Sequence, residues 1–217
     1  MPHIDLSPSL PGISAAFAYR PETAAPMREL AHVLLFESGR TTSLSSRDRE
    51  LIAAYVSSLN NCHFCQQSHG AAAAHHAGGS DELVGSVCAN PRTADISPKL
   101  RALLSIASRV QANAKTVTPA LVEAARAEGA TDLEIHDTVL IAAAFCMYNL
   151  YVRALSSAIV PASAGTMRDR FASDALSVAE RIGLERLQSL RANPLADPCY
   201  FYGPAAINLC NLQKPRP

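Results

Sequence analysis

The chain has 217 residues, of which 48% are hydrophobic, so it can bury one compact core or two small ones. Its 19 basic and 19 acidic residues balance, which gives no reason to expect a nucleic acid or an anionic membrane as a partner. The N-terminus lacks a charged and then apolar leader, and no segment approaches the roughly 20 apolar residues of a membrane span, so we expect a soluble, cytoplasmic protein.

Helix patterns follow one another along the chain, and alternation with a period of two is nearly absent, so we expect an all-α fold. Residues 1–21 contain four prolines, which resist helix formation, and are expected to form an extended N-terminal arm that lies on a partner surface. From about Glu22 to Glu37 the apolar spacing predicts the first amphipathic helix.

The second and third predicted helices meet at a pair of asparagines. The second begins at Ser45 or Ser46, either of which can cap it, and ends at Asn60 and Asn61. Asparagine tolerates the left-handed conformation at a helix end and also caps the start of the next helix. The third helix therefore starts at Asn61 or just after, and carries a Cys-x-x-Cys sequence in its first turn.

Four later helices have recognisable starts. A capping box at residues 131–134 precedes a long apolar run, which predicts a central, nearly buried helix. The other three are predicted over Ser80 to Cys88, from Ser97-Pro98 to about Ala112, and from Thr118-Pro119 to Gly129.

These patterns divide the chain into three parts. After the arm comes a helical domain over residues 22–160, followed by a C-terminal part over residues 161–217. The C-terminal part contains a last predicted helix from Met167 to about Ala192 and an aromatic, proline-bearing tail, which suits docking better than disorder.

One segment of the chain resembles a later one, since residues 48–54 are similar to residues 137–143. When the two segments are aligned in this way, Asn60 is matched with Asn149. In a duplicated chain the second copy would keep the helix but would lack cysteine and histidine at the matching positions. Such matches also arise by chance in helices rich in Ala, Leu and Ile, so duplication and coincidence both stay open.

The cysteine pattern points to thiol chemistry or to a metal. A chain of this length with this many apolar residues does not need disulfides for stability, and in a reducing compartment a Cys-x-x-Cys is catalytic or metal-binding. The remaining four cysteines are interpreted as small buried hydrophobic residues. The six lie at positions 62, 65, 88, 146, 199 and 210.

Cys62, Cys65 and His69 are spaced by three and four residues, so on one helix they share a face. The positive end of the helix dipole favours thiolate there. If the chain folds back after the preceding helix, Glu50 approaches His69. Such a set forms a relay in which the carboxylate orients the imidazole, the imidazole takes the thiol proton and the thiolate attacks a peroxide.

Glu50, then eleven residues, then Cys62-x-x-Cys65-x-x-x-His69 resembles the alkylhydroperoxidase D-like branch of the carboxymuconolactone decarboxylase-like family. The match is specific over about residues 45–75. It implies an all-helical fold, peroxide reduction in antioxidant defence, and a homo-oligomer, either a trimer or a hexamer. By position it makes Cys65 the peroxidatic thiol, Cys62 the resolving thiol, and His69 with Glu50 the proton relay.

The resemblance also implies the partners, namely a hydroperoxide substrate and a dithiol electron donor. A lipoyl adaptor is the donor that it suggests, while thioredoxin-like proteins and small thiols stay open. The sequence departs from the family at Phe64, because the best-known members have a histidine immediately before the second cysteine and here His63 lies one place earlier. This departure bears on the strength of the relay and on the choice of reductant.

Two other functions compete with the thiol peroxidase or disulfide reductase that we expect, which needs no cofactor and no metal. A lactone decarboxylase is the other activity of the family, but it does not obviously need a cysteine pair. A non-catalytic protein could instead bind zinc or sense oxidation through the two thiols and His69. The fourth zinc ligand would then come from a distant cysteine or from His63, His75 or His76.

Overall fold

A computed structural model describes residues 2–7, 10, 12–35, 44–77 and 81–155 of the chain. Among these residues there are eight α-helices, one short 3-10 turn and no strand, which confirms the all-α fold. The predicted C-terminal helix from Met167, the tail after it, Cys199 and Cys210 lie outside the described residues.

The helices match the predicted order, with one addition at the start. They are α1 (Ile13–Tyr19), α2 (Pro21–Leu35), α3 (Ser46–Leu59), α4 (His63–His76), α5 (Asp81–Ala89), α6 (Pro98–Asn113), α7 (Pro119–Ala127) and α8 (Asp132–Leu155).

Three helix starts have the caps that the sequence predicts. The hydroxyl oxygens of Ser45, Ser97 and Thr118 each accept the backbone N–H three residues further on, at 3.1, 3.1 and 3.3 Å. Each hydroxyl satisfies one of the N–H groups that a helix leaves without an internal partner. The start of α8 has the expected reciprocal capping box, because Glu134 N–H donates to Thr131 Oγ1 and Thr131 N–H donates to Glu134 Oε2.

The prediction of an extended arm over residues 1–21 is wrong for residues 13–19, because these residues form α1. No proline interrupts this segment, and its apolar side chains can be buried by folding it into a helix, as Phe17 is. Pro21 does not prevent the next helix either, because it is the first residue of α2, where a helix does not need the missing N–H.

The most buried helix is α3, whereas the sequence pattern predicts that α8 is the central helix. The apolar residues of α3 with no exposed surface are Leu51, Ile52, Ala53, Ala54 and Val56. The helix packs against α4, α5, α6 and α8, so it lies in the middle of the bundle. In contrast, α8 has an exposed apolar side that includes Met147 and Leu150.

Among the described residues, α8 is the one helix long and apolar enough by length and composition to cross a membrane. This differs from the expectation that no such segment exists. However, α8 packs against α3 and α6, and its buried side carries the polar residues Thr138 and Asn149 as well as apolar ones. Its apolar character is therefore accounted for by the protein core that it helps to form.

Candidate active site at the start of α4

The connection between α3 and α4 is a tight turn that folds α4 back along α3. Asn61 has φ of 53°, which is the left-handed conformation that the sequence predicts for this asparagine pair. The backbone N–H of Cys62 donates to the carbonyl of Ser57 at 2.9 Å and closes the turn. As a result, the first residues of α4 lie beside the last turn of α3.

Both cysteines of the Cys-x-x-Cys are buried free thiols at the start of α4. The helix begins at His63, later than predicted, so Cys62 is its N-cap and Cys65 alone of the pair lies in its first turn. Each of the two thiols shifts the pKa of the other, in opposite directions. The two sulfurs are therefore close enough to act as a pair, at the end of the helix where a negative charge is favoured.

The negative charge of this pair lies mainly on Cys62. The hydrogen bond from the Cys65 thiol lowers the pKa of Cys62 to about 7, and the backbone of Cys65 adds to this against the opposing effect of burial. The positive charges of Arg153 and His69 lower it further. The same thiol hydrogen bond, together with burial, raises the pKa of Cys65 well above its ordinary value.

Glu50 and His69 form the contact that their spacing predicts. His69 Nδ1 lies 2.7 Å from Glu50 Oε2, and the carboxylate is fully buried on α3. The edge of the imidazole also meets the Phe145 ring of α8 in a T-shaped contact, with 4.5 Å between ring centroids. Because both a carboxylate and an aromatic ring hold it, the imidazole has a fixed orientation, with Nε2 left for proton exchange.

The position before the second cysteine is occupied by an apolar side chain that faces the protein. Phe64 is buried, and its ring lies directly against Gly12, where a Cβ atom would overlap it. Gly12 also has a φ of 50°, a left-handed conformation that favours glycine at this position. His63 is exposed, so no second imidazole takes the place that Phe64 fills.

Asn149 and Arg153 influence the thiols, although no sequence pattern predicts a place for them in the site. The side chain of Asn149 in α8 lowers the pKa of Cys65, and Arg153 of α8 donates from Nη1 to the carbonyl of Asn60 at 2.6 Å. The internal resemblance was the signal for Asn149, because it pairs this residue with Asn60. The two side chains are hydrogen-bonded at 2.9 Å.

The zinc alternative has no ligand set in the part of the chain that the structure describes. Within it, no group of three or more His, Cys, Asp and Glu side chains is arranged to hold a metal ion. His75 and His76 are exposed at the end of α4. Cys88 and Cys146 are half-buried rather than fully buried as predicted, and Cys88 hydrogen-bonds to other side chains.

Comparison with protein families finds one match, over α2 to most of α6. Residues 21–109 match the carboxymuconolactone decarboxylase family. The matched segment spans α2 to most of α6 and includes Glu50, Cys62, Cys65 and His69. No curated protein matches the chain.

Two solved structures are similar in both sequence and fold. One is the alkylhydroperoxidase AhpD core of an uncharacterized peroxidase-related protein from Ralstonia eutropha, at 27% identity and a TM-score of 0.62, covering 67% of this chain and 75% of that one. The other is an uncharacterized peroxidase-related protein from Silicibacter, at 27% identity and a TM-score of 0.60, covering 66% and 73%.

A third solved structure supports the fold alone. It is a protein of unknown function from Agrobacterium tumefaciens whose name suggests an AhpD-type antioxidant defence protein. Its identity to this chain is 23%, its TM-score is 0.58, and the match covers 68% of this chain and 97% of that one.

Proposed function

Because residues 21–109 match the carboxymuconolactone decarboxylase family and the fold is alkylhydroperoxidase D-like, we propose that the protein is a thiol peroxidase. Its substrate is a hydroperoxide, which it reduces through Cys62 and Cys65. The observation that carries the proposal is the pair of buried free thiols at the start of α4, with the contact between His69 and Glu50 beside it. This is the constellation that reversible thiol oxidation requires.

The first step is attack of the Cys65 sulfur on the peroxide. The proton of the Cys65 thiol passes to Cys62 along their hydrogen bond, which leaves Cys65 as the thiolate. Its sulfur bonds to one peroxide oxygen and the O–O bond breaks, so Cys65 becomes a sulfenic acid. The leaving alkoxide takes a proton from the His69 imidazolium and departs as an alcohol.

The second step closes the disulfide. Cys62 attacks the sulfenic sulfur of Cys65, the sulfenic oxygen leaves with the Cys62 proton as water, and a Cys62–Cys65 disulfide forms. A dithiol donor then reduces this disulfide by exchange and is itself oxidised to a disulfide. One of the two protons that it delivers returns to His69, so the site is restored for another peroxide.

The resting charge on Cys62 fits the resolving role that the family resemblance gives it. A resolving thiol reacts as the thiolate, and a thiol with a pKa near neutral pH is present partly in that form. It is also a good leaving group when the donor reduces the disulfide at Cys65. In the intact pair, Cys65 reaches its reactive form when its proton moves to Cys62, so the two thiols act as a unit.

Three further properties belong to the same proposal. The electron donor is a dithiol, either a lipoyl adaptor or a thioredoxin-like protein. The protein acts in the cytoplasm in antioxidant defence. It assembles into a homo-oligomer, either a trimer or a hexamer, and analytical sedimentation of the purified protein would measure the mass of this assembly.

Peroxide turnover with a panel of dithiol donors tests the function. We expect the wild-type protein to consume hydrogen peroxide or an alkyl hydroperoxide with dihydrolipoamide or reduced thioredoxin as donor. Cys65→Ser should abolish turnover, and Cys62→Ser should stop it after one peroxide, with a sulfenic acid left on Cys65. Cys88→Ser is the matched control, because Cys88 is a half-buried free thiol outside the pair. Wild-type turnover in both variants of the pair would refute the mechanism.

A further inference from the structure

Asn60 is a connecting residue between α3 and α4 whose polar groups are all engaged. It is the C-cap of α3 and comes two residues before Cys62. Its backbone N–H donates to the carbonyl of Val56 at 3.0 Å, as at an ordinary helix end. Its carbonyl accepts from Arg153 Nη1 of α8 at 2.6 Å. The side chain reaches further, to two other helices.

The carboxamide of Asn60 joins the end of α3 to α6 and α8. Asn60 Oδ1 accepts from Gln111 Nε2 of α6 at 2.9 Å. Asn60 Nδ2 donates to Asn149 Oδ1 at 2.9 Å and to the sulfur of Cys146 at 3.6 Å, both on α8. The two amide protons and the amide oxygen are therefore all used. Three helices are held together at the residue where α3 ends.

Ser57 connects this network to the backbone of Cys62. The Ser57 hydroxyl donates its single proton to the carbonyl of Ala53 at 2.8 Å, so its oxygen accepts from Asn149 Nδ2, which lies 3.1 Å away. The carbonyl of Ser57 accepts the backbone N–H of Cys62 at 2.9 Å. Asn149 therefore binds Asn60 through its oxygen and Ser57 through its nitrogen. Both Ser57 and Asn149 are fully buried, where polar groups are costly unless their hydrogen bonds are made.

The backbone between Asn60 and Cys62 decides where the Cys62 sulfur lies. Asn61 has a left-handed φ of 53°, a conformation that few residues with a side chain adopt. Cys62 is the N-cap of α4, but its side chain makes no capping hydrogen bond to that helix. The sulfur is therefore not fixed by the start of α4 in the way that a serine hydroxyl would be, and its position depends on the turn before it.

We propose that Asn60 is a positioning residue of the candidate active site, which holds the turn between α3 and α4 to α6 and α8 and thereby keeps the Cys62 sulfur beside Cys65. Its part in peroxide reduction rests on the proposed function, in which Cys62 has to reach the oxidised sulfur of Cys65. The positioning itself is independent of the substrate, since it concerns where the reduced thiol lies.

A loosened turn would change the pKa of Cys62 in a definite direction. The neighbouring Cys65 thiol lowers this pKa most, against the opposing effect of burial. The positive charges of Arg153 and His69 lower it further, to about 7. Because these influences together place the pKa below its ordinary value of 9.0, a sulfur that is free to move away from them would have a higher pKa.

Alkylation of Cys62 as a function of pH tests the proposal without any peroxide. Asn60→Ala removes the side-chain bonds to α6 and α8 but keeps the backbone carbonyl to which Arg153 donates. We expect the midpoint of the pH profile to rise by about one pH unit, so that iodoacetamide reacts with Cys62 about fivefold more slowly at neutral pH. The rates should become equal at high pH, where the thiol is ionised in both proteins. Peptide mass spectrometry identifies the alkylated cysteine.

Thr138→Val is the matched control for a general loss of stability. It removes a buried hydroxyl of α8 and its hydrogen bond to the carbonyl of Glu134, eleven residues before Asn149. This variant should unfold at a lower urea concentration but keep the wild-type midpoint for Cys62. A rise of the same size in Thr138→Val would show that any loosening of the bundle acts on the thiol, and it would overturn the positioning role of Asn60.

A second variant keeps the test decisive if Asn60→Ala does not fold. Gln111→Leu removes only the hydrogen bond from α6, at a half-buried position, and it should raise the midpoint for Cys62 in the same direction. An unchanged midpoint and rate in the folded variants would overturn the proposal. A raised midpoint in a protein whose wild type does not reduce peroxide would instead reject the peroxidase function and leave the positioning role of Asn60 intact.

Discussion

His69 lies between two charged or polarisable groups that belong to different helices. Glu50 comes from α3 and contacts Nδ1, while Phe145 comes from α8 and contacts the ring. The first contact was predictable from spacing alone, since a tight turn at Asn61 makes α4 run back along α3. The second was not, because no local pattern says which aromatic ring of a distant helix will meet a given imidazole.

The pKa of Cys62 leads to a prediction about single substitutions near this thiol. The neighbouring Cys65 thiol is the main cause that lowers this pKa from an ordinary 9.0 to about 7. The positive charges of Arg153 and His69 add to the lowering, so removing either charge should raise the pKa of Cys62. A higher pKa leaves less thiolate at neutral pH, and Arg153→Ala or His69→Ala should therefore slow the alkylation of Cys62 there. The difference should vanish at high pH, where the thiol is ionised in every variant.

The rate of iodoacetamide alkylation at Cys62, measured by peptide mass spectrometry across pH, checks this. Arg126→Ala is the control, because Arg126 pairs with Asp132 and Glu123 on the surface. Identical pH midpoints in wild type and in both variants would show that neither positive charge acts on the thiol pair.

At the scale of helices, the residue at which each helix begins was predictable from the sequence, but how deeply each helix is buried was not. Ser or Thr before a helix identifies the cap because the chemistry is local, and the hydroxyls of Ser45, Ser97 and Thr118 make the expected bonds. Burial depends on which helices pack together, so α3 proved more central than the more apolar α8. α1 was missed because the prolines around it dominate the sequence pattern.

The capping box at the start of α8 should contribute measurably to stability. Thr131→Ala removes the hydroxyl that accepts Glu134 N–H, and we expect the free energy of unfolding to fall by about 1 kcal/mol. Urea denaturation followed by circular dichroism measures this. Thr116→Ala is the control, since Thr116 lies exposed in the 3-10 turn, and it should cost less than about 0.5 kcal/mol. Equal losses in the two variants would contradict the role of the cap.

At the scale of the whole molecule, the sequence predicted the contacts within the candidate site better than the contacts around it. Glu50, Cys62, Cys65 and His69 come together because they lie on two consecutive helices joined by a short turn. Asn149 is distant in sequence, and its hydrogen bonds to Asn60 and Ser57 depend on how α8 packs against α3. The pairing of Asn60 with Asn149 accords with an internal duplication, which itself stays a prediction.

The most direct test is a titration of the reduced wild-type protein with hydrogen peroxide in the absence of a donor, with free thiols counted at each addition. Each equivalent of peroxide should remove two thiols and no more, and peptide mapping should find a disulfide between Cys62 and Cys65 while Cys88 and Cys146 stay reduced. Thiols that do not react with peroxide, or a disulfide that involves other cysteines, would contradict the account.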